Sequence, residues 1–117
     1  MGELHVAATP ETRGMMNRER FAQMKKGAIL INTARGEIVR EAALIEALER
    51  GTLGGAGLDV FPEEPTVNPV LIEHPRVVAL PHIGSATNET RRAMAELAVK
   101  NARAVLAGEP PLTPVYR

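Results

Sequence analysis

Short apolar runs alternate with segments of helical periodicity along this chain. Residues 28–32, 55–60 and 76–80 are largely apolar, whereas residues 41–50 repeat apolar side chains at helical spacing. Strands that read as continuous apolar runs and are separated by helices are typical of a parallel sheet that is covered on both faces. The pattern therefore predicts an α/β fold.

The order of the elements follows from the same pattern. We expect strands at 4–8, 28–32, 55–60 and 76–80, with helices between Asn17 and Gly27, over 41–50 and over 88–106. A proline-rich loop without helical period joins the last two strands. Residues 1–117 are expected to form a single domain, in which residues 108–117 are an extended tail.

The composition excludes several classes of protein. Fourteen basic residues balance fourteen acidic ones, so neither nucleic acid nor an anionic membrane is indicated as a partner. The chain has no cysteine, which excludes disulfides and thiolate metal sites, and no metal is expected. No signal-peptide pattern is present, and no apolar run approaches the ~20 residues of a membrane helix. These features predict a soluble, cytoplasmic protein.

Three polar side chains follow three of the predicted strands. Arg35 lies in a turn of small residues, Glu64 in a proline-bounded loop, and His82 directly after Pro81. Ligands of open α/β sheets bind at the carboxyl ends of the strands, where these side chains would converge. An arginine, a carboxylate and a histidine there can bind an anionic substrate and move a proton. They are the candidate catalytic residues.

Each of these residues also has an ordinary structural explanation. Arginines are mostly solvated, Glu63 is equivalent to Glu64 by composition, and His82 could cap the following helix. His5 and His74 are interpreted as structural or solvated. The ordered set of three residues raises the functional interpretation above these alternatives.

One glycine motif is not interpreted as functional. Gly55 and Gly57 resemble the start of a dinucleotide-binding fingerprint, but Val60 stands where its third glycine belongs. The motif also lies inside a predicted strand and not at a strand-to-helix turn. The sequence thus contains no glycine-rich phosphate loop.

Four segments together resemble a known enzyme family. Residues 4–12, 31–36, 57–65 and 81–85 are similar, in order and spacing, to signatures of the D-isomer-specific 2-hydroxyacid dehydrogenases. Residues 81–87 resemble the glyoxylate and hydroxypyruvate reductase branch in particular. The resemblance implies the second half of a doubly wound, Rossmann-like parallel sheet with a long C-terminal helix.

The resemblance also implies a role for each candidate residue. Arg35 would hold the carboxylate and keto oxygen of a small 2-keto or 2-hydroxy acid. His82 would give a proton to the carbonyl oxygen as hydride arrives, and Glu64 would orient the imidazole and favour its protonated form. The cofactor implied is NAD or NADP. The residues that would contact it are Thr9, Pro10, Thr33, Ala34, Arg35, Asp59, His82 and Gly84.

The resemblance covers only part of the family's length. Family members are far longer, and a substrate domain and the first half of the cofactor domain precede the equivalent of Leu4. Ala7 also replaces a typical proline, and Arg40 replaces a typical acidic residue and is a poor helix N-cap. We expect this chain to be a fragment, a truncation or one piece of a split enzyme that is inactive alone and binds NAD(P) weakly or not at all.

Two functional hypotheses remain open. In the first, the chain is the catalytic part of an NAD(P)-dependent dehydrogenase; in the second, it is a non-catalytic oligomerising or corepressor-like module with the same partial fold. The complete set of three candidate residues favours the first. In either case a homo-oligomer is expected, because the edge at 4–8 would expose unpaired backbone groups.

Overall fold

The computed structural model describes residues 1–115. These fall into two compact units, Met1–Gly84 and a second unit that begins at Ser85. Among the described residues, no helix is both long and apolar enough to cross a membrane. That residues 1–117 form a single domain stays a prediction from the sequence.

The first unit is built on a four-stranded parallel sheet. Its strands are β1 (Gly2–Leu4), β2 (Ala28–Asn32), β3 (Leu53–Leu58) and β4 (Val77–Ala79), and they lie side by side in chain order. The helices of this unit are α1 (Arg18–Gln23), α2 (Glu41–Glu49) and α3 (Pro69–Ile72), with a 3-10 turn at Gly36–Ile38. The predicted α/β fold with a parallel sheet is confirmed.

Local signals explain where the helices begin. The side chain of Asn17 accepts a hydrogen bond from the backbone N–H of Arg20 at 3.0 Å and thereby caps the N-terminus of α1. Arg40 makes no side-chain capping bond at the start of α2, as its poor N-cap chemistry predicts. Asn68 caps α3, which has Pro69 in its first turn.

The core lies on one face of the sheet. Leu30, Ala56 and Leu58 point to this face and are at most 4% exposed. Helical and loop residues pack against them, namely Phe21, Leu44, Leu48, Phe61 and Leu71. Burial of these side chains is the main stabilising contribution, because removal of apolar surface from water dominates folding energetics.

Within the first unit, the opposite face of the sheet is open. Ile29 and Val78, which line it together with the glycines of β3, are 46% and 64% exposed. The elements of Met1–Gly84 therefore cover one face of the sheet, and the covering of the second face stays a prediction. A continuous apolar run indicates which strand surfaces are suited to burial, and not which elements cover them.

The structure also corrects the predicted bounds of two strands and adds one helix. The strand predicted at 4–8 is instead β1, at Gly2–Leu4, because its last pairing partner is Asn32, where β2 ends. The proline-rich loop contains the single-turn helix α3, which was missed although Asn68 and Pro69 form a capping signal. β3 begins two residues earlier than predicted and ends at Leu58.

The second unit contains the helix α4 (Asn88–Leu106), whose bounds match the prediction. The Thr87 hydroxyl accepts from the backbone N–H of Thr90 at 3.2 Å and caps the helix. Asn101 lies within α4, and its side chain accepts a hydrogen bond from the backbone N–H of Thr113, beyond the helix, at 3.1 Å. The last two residues of the predicted tail, 116–117, lie outside the described range.

Candidate active site

Three loops meet at the carboxyl ends of β2, β3 and β4. They carry Arg35, Glu64 and His82, the three residues that the sequence places at strand ends. The strands are parallel and adjacent, so their ends lie on the same edge of the sheet. The contacts between the loops determine what this edge can do chemically.

The β2 loop is organised by a buried amide. Asn32 is 1% exposed; its Oδ1 accepts from the backbone N–H of Ala34 at 3.1 Å, and its Nδ2 donates to the carbonyl of Arg35 at 3.0 Å. This closed turn fixes the backbone that presents Arg35. The Arg35 side chain is exposed, and its guanidinium donates to the carbonyl of Ala34 at 2.6 Å. Sequence reasoning gave Asn32 no role, although an asparagine before a turn of small residues is a signal for this turn.

The β2 and β3 loops are in direct backbone contact. Gly36, next to Arg35, is buried, and a Cβ atom there would overlap the backbone of Phe61 and Pro62. Only glycine allows this close approach. The contact sets the position of the Arg35 loop relative to the loop that carries Glu64.

Glu64 and His82 form a hydrogen-bonded pair across the β3 and β4 loops. The Nδ1 of His82 lies 2.7 Å from Oε2 of Glu64. The other carboxylate oxygen, Oε1, accepts from the backbone N–H of Phe61 at 2.9 Å. With Nδ1 engaged, Nε2 is the ring nitrogen left for a substrate oxygen. The predicted pairing of these two residues is thus present in the structure.

The charge environment keeps Glu64 ionised. Its hydrogen bond to His82 is the largest cause that holds the pKa of the carboxyl below its usual value of 4.5, and the bond from the Phe61 N–H acts in the same direction. Partial desolvation opposes this effect, and the positive charges of His82 and Arg35 add a smaller lowering. Arg35 is therefore close enough for its charge to lower the pKa of Glu64.

Asp59 has partners that the sequence did not predict. It is 2% exposed, and its carboxylate accepts two backbone hydrogen bonds, from Ile83 at 2.8 Å and from Gly84 at 2.7 Å. Its own N–H donates to the carbonyl of Asn32 at 3.0 Å. The residue thus joins the end of β2 to the loop of His82. Its expected contact with a cofactor stays a prediction.

The other two histidines of the chain, His74 and His5, have partners of their own. The Nδ1 of His74 accepts from the backbone N–H of Arg76 at 3.1 Å, which is a local turn contact. His5 is exposed and lies 3.4 Å from the carboxylate of Glu3. These contacts agree with the interpretation of both as structural or solvated, which stays a prediction.

A cleft beside the β2 loop has the size and lining for part of a nucleotide. It encloses about 500 Å³ between residues 5–8 and the segment Thr33, Ala34 and Arg35. Small side chains such as Ala8 and Ala34 leave room for a planar ring, and the Thr33 hydroxyl and Arg35 guanidinium supply polar groups. These residues fit the nicotinamide half of NAD or NADP. A smaller cavity of about 190 Å³ adjoins Glu64 and His82.

The remaining predicted cofactor residues lie in two loops. Thr9 and Pro10 belong to the turn after β1, where the Thr9 N–H donates to the Thr12 hydroxyl at 2.7 Å. Gly84 lies in the His82 loop and donates its N–H to Asp59. Contacts of all these residues with a nucleotide stay predictions.

A known family and several known proteins match this chain. The family described as D-isomer specific 2-hydroxyacid dehydrogenase, NAD binding domain, matches residues 3–84. The glyoxylate/hydroxypyruvate reductase B of Serratia proteamaculans is 59% identical over 101 residues, which are 86% of this chain and 31% of the relative. The glyoxylate reductase of Pyrococcus furiosus is 54% identical over 114 residues, which are 97% of this chain and 34% of the relative.

Solved structures show the same similarity. An NADPH-dependent glyoxylate/hydroxypyruvate reductase from Sinorhizobium meliloti, in complex with NADP and malonate, superposes with a TM-score of 0.91 at 42% identity. The match covers 97% of this chain and 35% of that one. The chain therefore spans about a third of the length of the relatives that it matches.

Proposed function

Because this chain belongs to the D-isomer specific 2-hydroxyacid dehydrogenase family, within its NAD-binding domain, we propose that it supplies the catalytic residues of an NAD(P)-dependent oxidoreductase. The reaction is the interconversion of a 2-keto acid and a D-2-hydroxy acid. The observation that carries the proposal is the 2.7 Å contact between His82 Nδ1 and Glu64 Oε2. It is a histidine oriented by a carboxylate, an arrangement suited to acid–base catalysis.

The proposed substrates are glyoxylate and hydroxypyruvate. Relatives from Serratia proteamaculans and Pyrococcus furiosus carry these names, and a small anionic acid suits an exposed arginine. Arg35 binds the substrate carboxylate, because its planar guanidinium can donate two parallel hydrogen bonds to a carboxylate. The buried amide of Asn32 holds the backbone of Arg35 in place for this task.

His82 acts as the proton donor in reduction. The imidazolium donates a proton from Nε2 to the carbonyl oxygen of the keto acid, and in oxidation neutral His82 accepts it back from the hydroxyl group. Glu64 stays ionised throughout and stabilises the imidazolium through Nδ1. When bound, the nicotinamide cofactor supplies or accepts the hydride at the substrate carbon.

The cofactor is NAD or NADP. We propose that Thr33, Ala34 and the segment 82–84 hold its nicotinamide half, with Asp59 on the same side. Thr9 and Pro10 are proposed to lie near its adenosine or pyrophosphate part. The cleft beside Thr33 and Ala34 supports this assignment. The 117-residue polypeptide by itself is proposed to be inactive, since its sequence has no glycine-rich loop for the pyrophosphate.

The experiment places this segment in a complete enzyme. Residues 3–84 replace the matching segment of the Serratia proteamaculans relative, and reduction of glyoxylate and hydroxypyruvate is followed by oxidation of NADH or NADPH. His82→Ala is expected to lower kcat by about 10² to 10⁴, whereas His74→Ala, which changes a histidine with a local turn contact, is expected to leave it unchanged. An inactive chimera, or equal activity of the His82→Ala variant, would favour the non-catalytic alternative.

A further inference from the structure

The carboxylate of Asp59 is held beneath the loop that carries His82. Its two oxygens each accept a hydrogen bond from consecutive backbone amides, Oδ1 from Ile83 at 2.8 Å and Oδ2 from Gly84 at 2.7 Å. The residue is 2% exposed, so these bonds are shielded from water. A buried carboxylate that accepts two backbone N–H bonds is a strong, charge-assisted anchor.

His82 has an unusual backbone conformation next to this anchor. Its φ is 56°, and among residues 1–115 it is the one non-glycine residue with a positive φ. Side chains disfavour this left-handed region, so surrounding contacts must hold the residue there. The two amides that follow His82 are those bound by Asp59. The bonds therefore fix the chain immediately after the strained residue.

Gly84 shows independently that the approach is close. A Cβ atom on Gly84 would lie 2.9 Å from Oδ2 of Asp59, nearer than such contacts normally come. The loop therefore reaches the carboxylate only because residue 84 has no side chain. The close contact therefore depends both on glycine at position 84 and on the carboxylate of Asp59.

We propose that Asp59 is a positioning residue that holds His82 in its left-handed conformation and so directs Nδ1 toward Glu64. Asp59 acts through the backbone of residues 83–84 and makes no contact with the substrate. Its backbone N–H bond to Asn32 joins the same anchor to the turn that presents Arg35. The proposal deepens the function proposed above, because it rests on His82 as the proton donor.

The first test measures the loop directly in the 117-residue chain by NMR. Asp59→Asn places an amide N–H₂ where an acceptor is needed, so it opposes at least one of the two backbone donors. We expect the strong intraresidue HN–Hα Overhauser effect of His82, which a positive φ produces, to weaken. Amide exchange at Ile83 and Gly84 is expected to accelerate by at least about tenfold.

Two further variants keep this test decisive. Gly84→Ala retains the charge of Asp59 but intrudes on Oδ2, and it is expected to produce the same loss at His82. Glu63→Gln removes an exposed carboxylate from the neighbouring loop and is expected to change neither signal. If His82 keeps its positive φ and its hydrogen-bonded Nδ1 in both Asp59→Asn and Gly84→Ala, the positioning role is wrong.

The second test separates positioning from cofactor contact. In the chimeric enzyme, Asp59→Asn is expected to lower kcat by about 10- to 100-fold, with little change in KM for the nucleotide. A raised KM for the nucleotide at unchanged kcat would overturn the proposal in favour of a cofactor contact. If the unmodified chimera has no activity, the proposed function fails, and the NMR result still decides whether Asp59 positions His82.

Discussion

Nδ1 of His82 lies 2.7 Å from Oε2 of Glu64, although 18 positions separate the two residues in the sequence. The pair forms because β3 and β4 are neighbours and parallel, so that their following loops meet at one edge of the sheet. A carboxylate at this distance stabilises the protonated ring more than the neutral one. The pair therefore orients the His82 ring and leaves its Nε2 available.

Replacement of Glu64 by glutamine should slow reduction. Oε2 of Glu64 lies 2.7 Å from Nδ1 of His82, and a neutral amide in its place stabilises a charged ring less than a carboxylate does. In the chimeric enzyme we expect kcat for glyoxylate reduction to fall in Glu64→Gln. Glu63→Gln is the matched control, and equal kcat values in the two variants would contradict the pairing.

The same carboxylate should make stability depend on pH in a defined window. The pKa of Glu64 is lowered in the folded chain, so the native state favours its ionised form above the usual value of 4.5. That stabilisation is present at neutral pH and is lost as the pH falls below 4.5 through the folded pKa. We expect Glu64→Gln to unfold at a lower temperature than the wild type at pH 7, by a few degrees at most, because partly exposed pairs contribute about 1 kcal/mol or less.

Thermal unfolding followed by circular dichroism at pH 7 and pH 3 measures this effect. The difference between the two proteins should shrink toward acid. A difference that grows toward acid would have the wrong sign for a carboxyl whose pKa is lowered.

Gly36→Ala should destabilise the fold through one backbone contact. The added Cβ would overlap the backbone of Phe61 and Pro62, and backbone yields less readily than a side chain. Overpacking of this kind typically costs about 1–3 kcal/mol. Gly2→Ala is the control, because its Cβ would meet only the flexible end of Met24 at 3.4 Å. Urea unfolding midpoints of the two variants check the prediction, which fails if they are equal.

The isolated 117-residue polypeptide should bind NADH and NADPH weakly. Thr33 and Ala34 line the cleft proposed for the nicotinamide half, but the sequence has no glycine-rich loop to neutralise the pyrophosphate. Calorimetric titration should detect no micromolar binding of either nucleotide. Binding at micromolar concentration would show that other residues receive the phosphates.

The polypeptide should also self-associate. β1 pairs with β2 on one side only, and Ile29 and Val78 expose apolar surface on the open sheet face. Light scattering after size exclusion is expected to give more than the monomer mass at micromolar concentration. Val78→Lys tests the open face. If this variant is a monomer, the open face mediates association; if its mass is unchanged, the β1 edge does. A monomeric wild type would contradict the prediction.

Sequence patterns predicted the sheet and the three candidate residues because both depend on local signals. Apolar runs mark β2 and β3, and Arg35, Glu64 and His82 each follow the end of a strand. The strand at 4–8 was predicted wrongly because its length depends on where its partner β2 ends. No local signal contains that information.

The support of the site was harder to predict. The bonds from Ile83 and Gly84 to Asp59 join residues 24 and 25 positions apart. Their geometry depends on the spacing between β3 and β4, which periodicity does not supply. The covering of the second sheet face was hard to predict for a related reason, since an apolar strand does not show which elements cover it.

The two carboxylate oxygens of Glu64 bind different kinds of partner. Oε1 is bound by the backbone N–H of Phe61, and Oε2 is bound by the imidazole of His82. Because the first bond ties the carboxylate to the main chain, Glu64 is restrained from following the imidazole. A ligand that pulled His82 toward itself would therefore have to break the hydrogen bond that orients the ring.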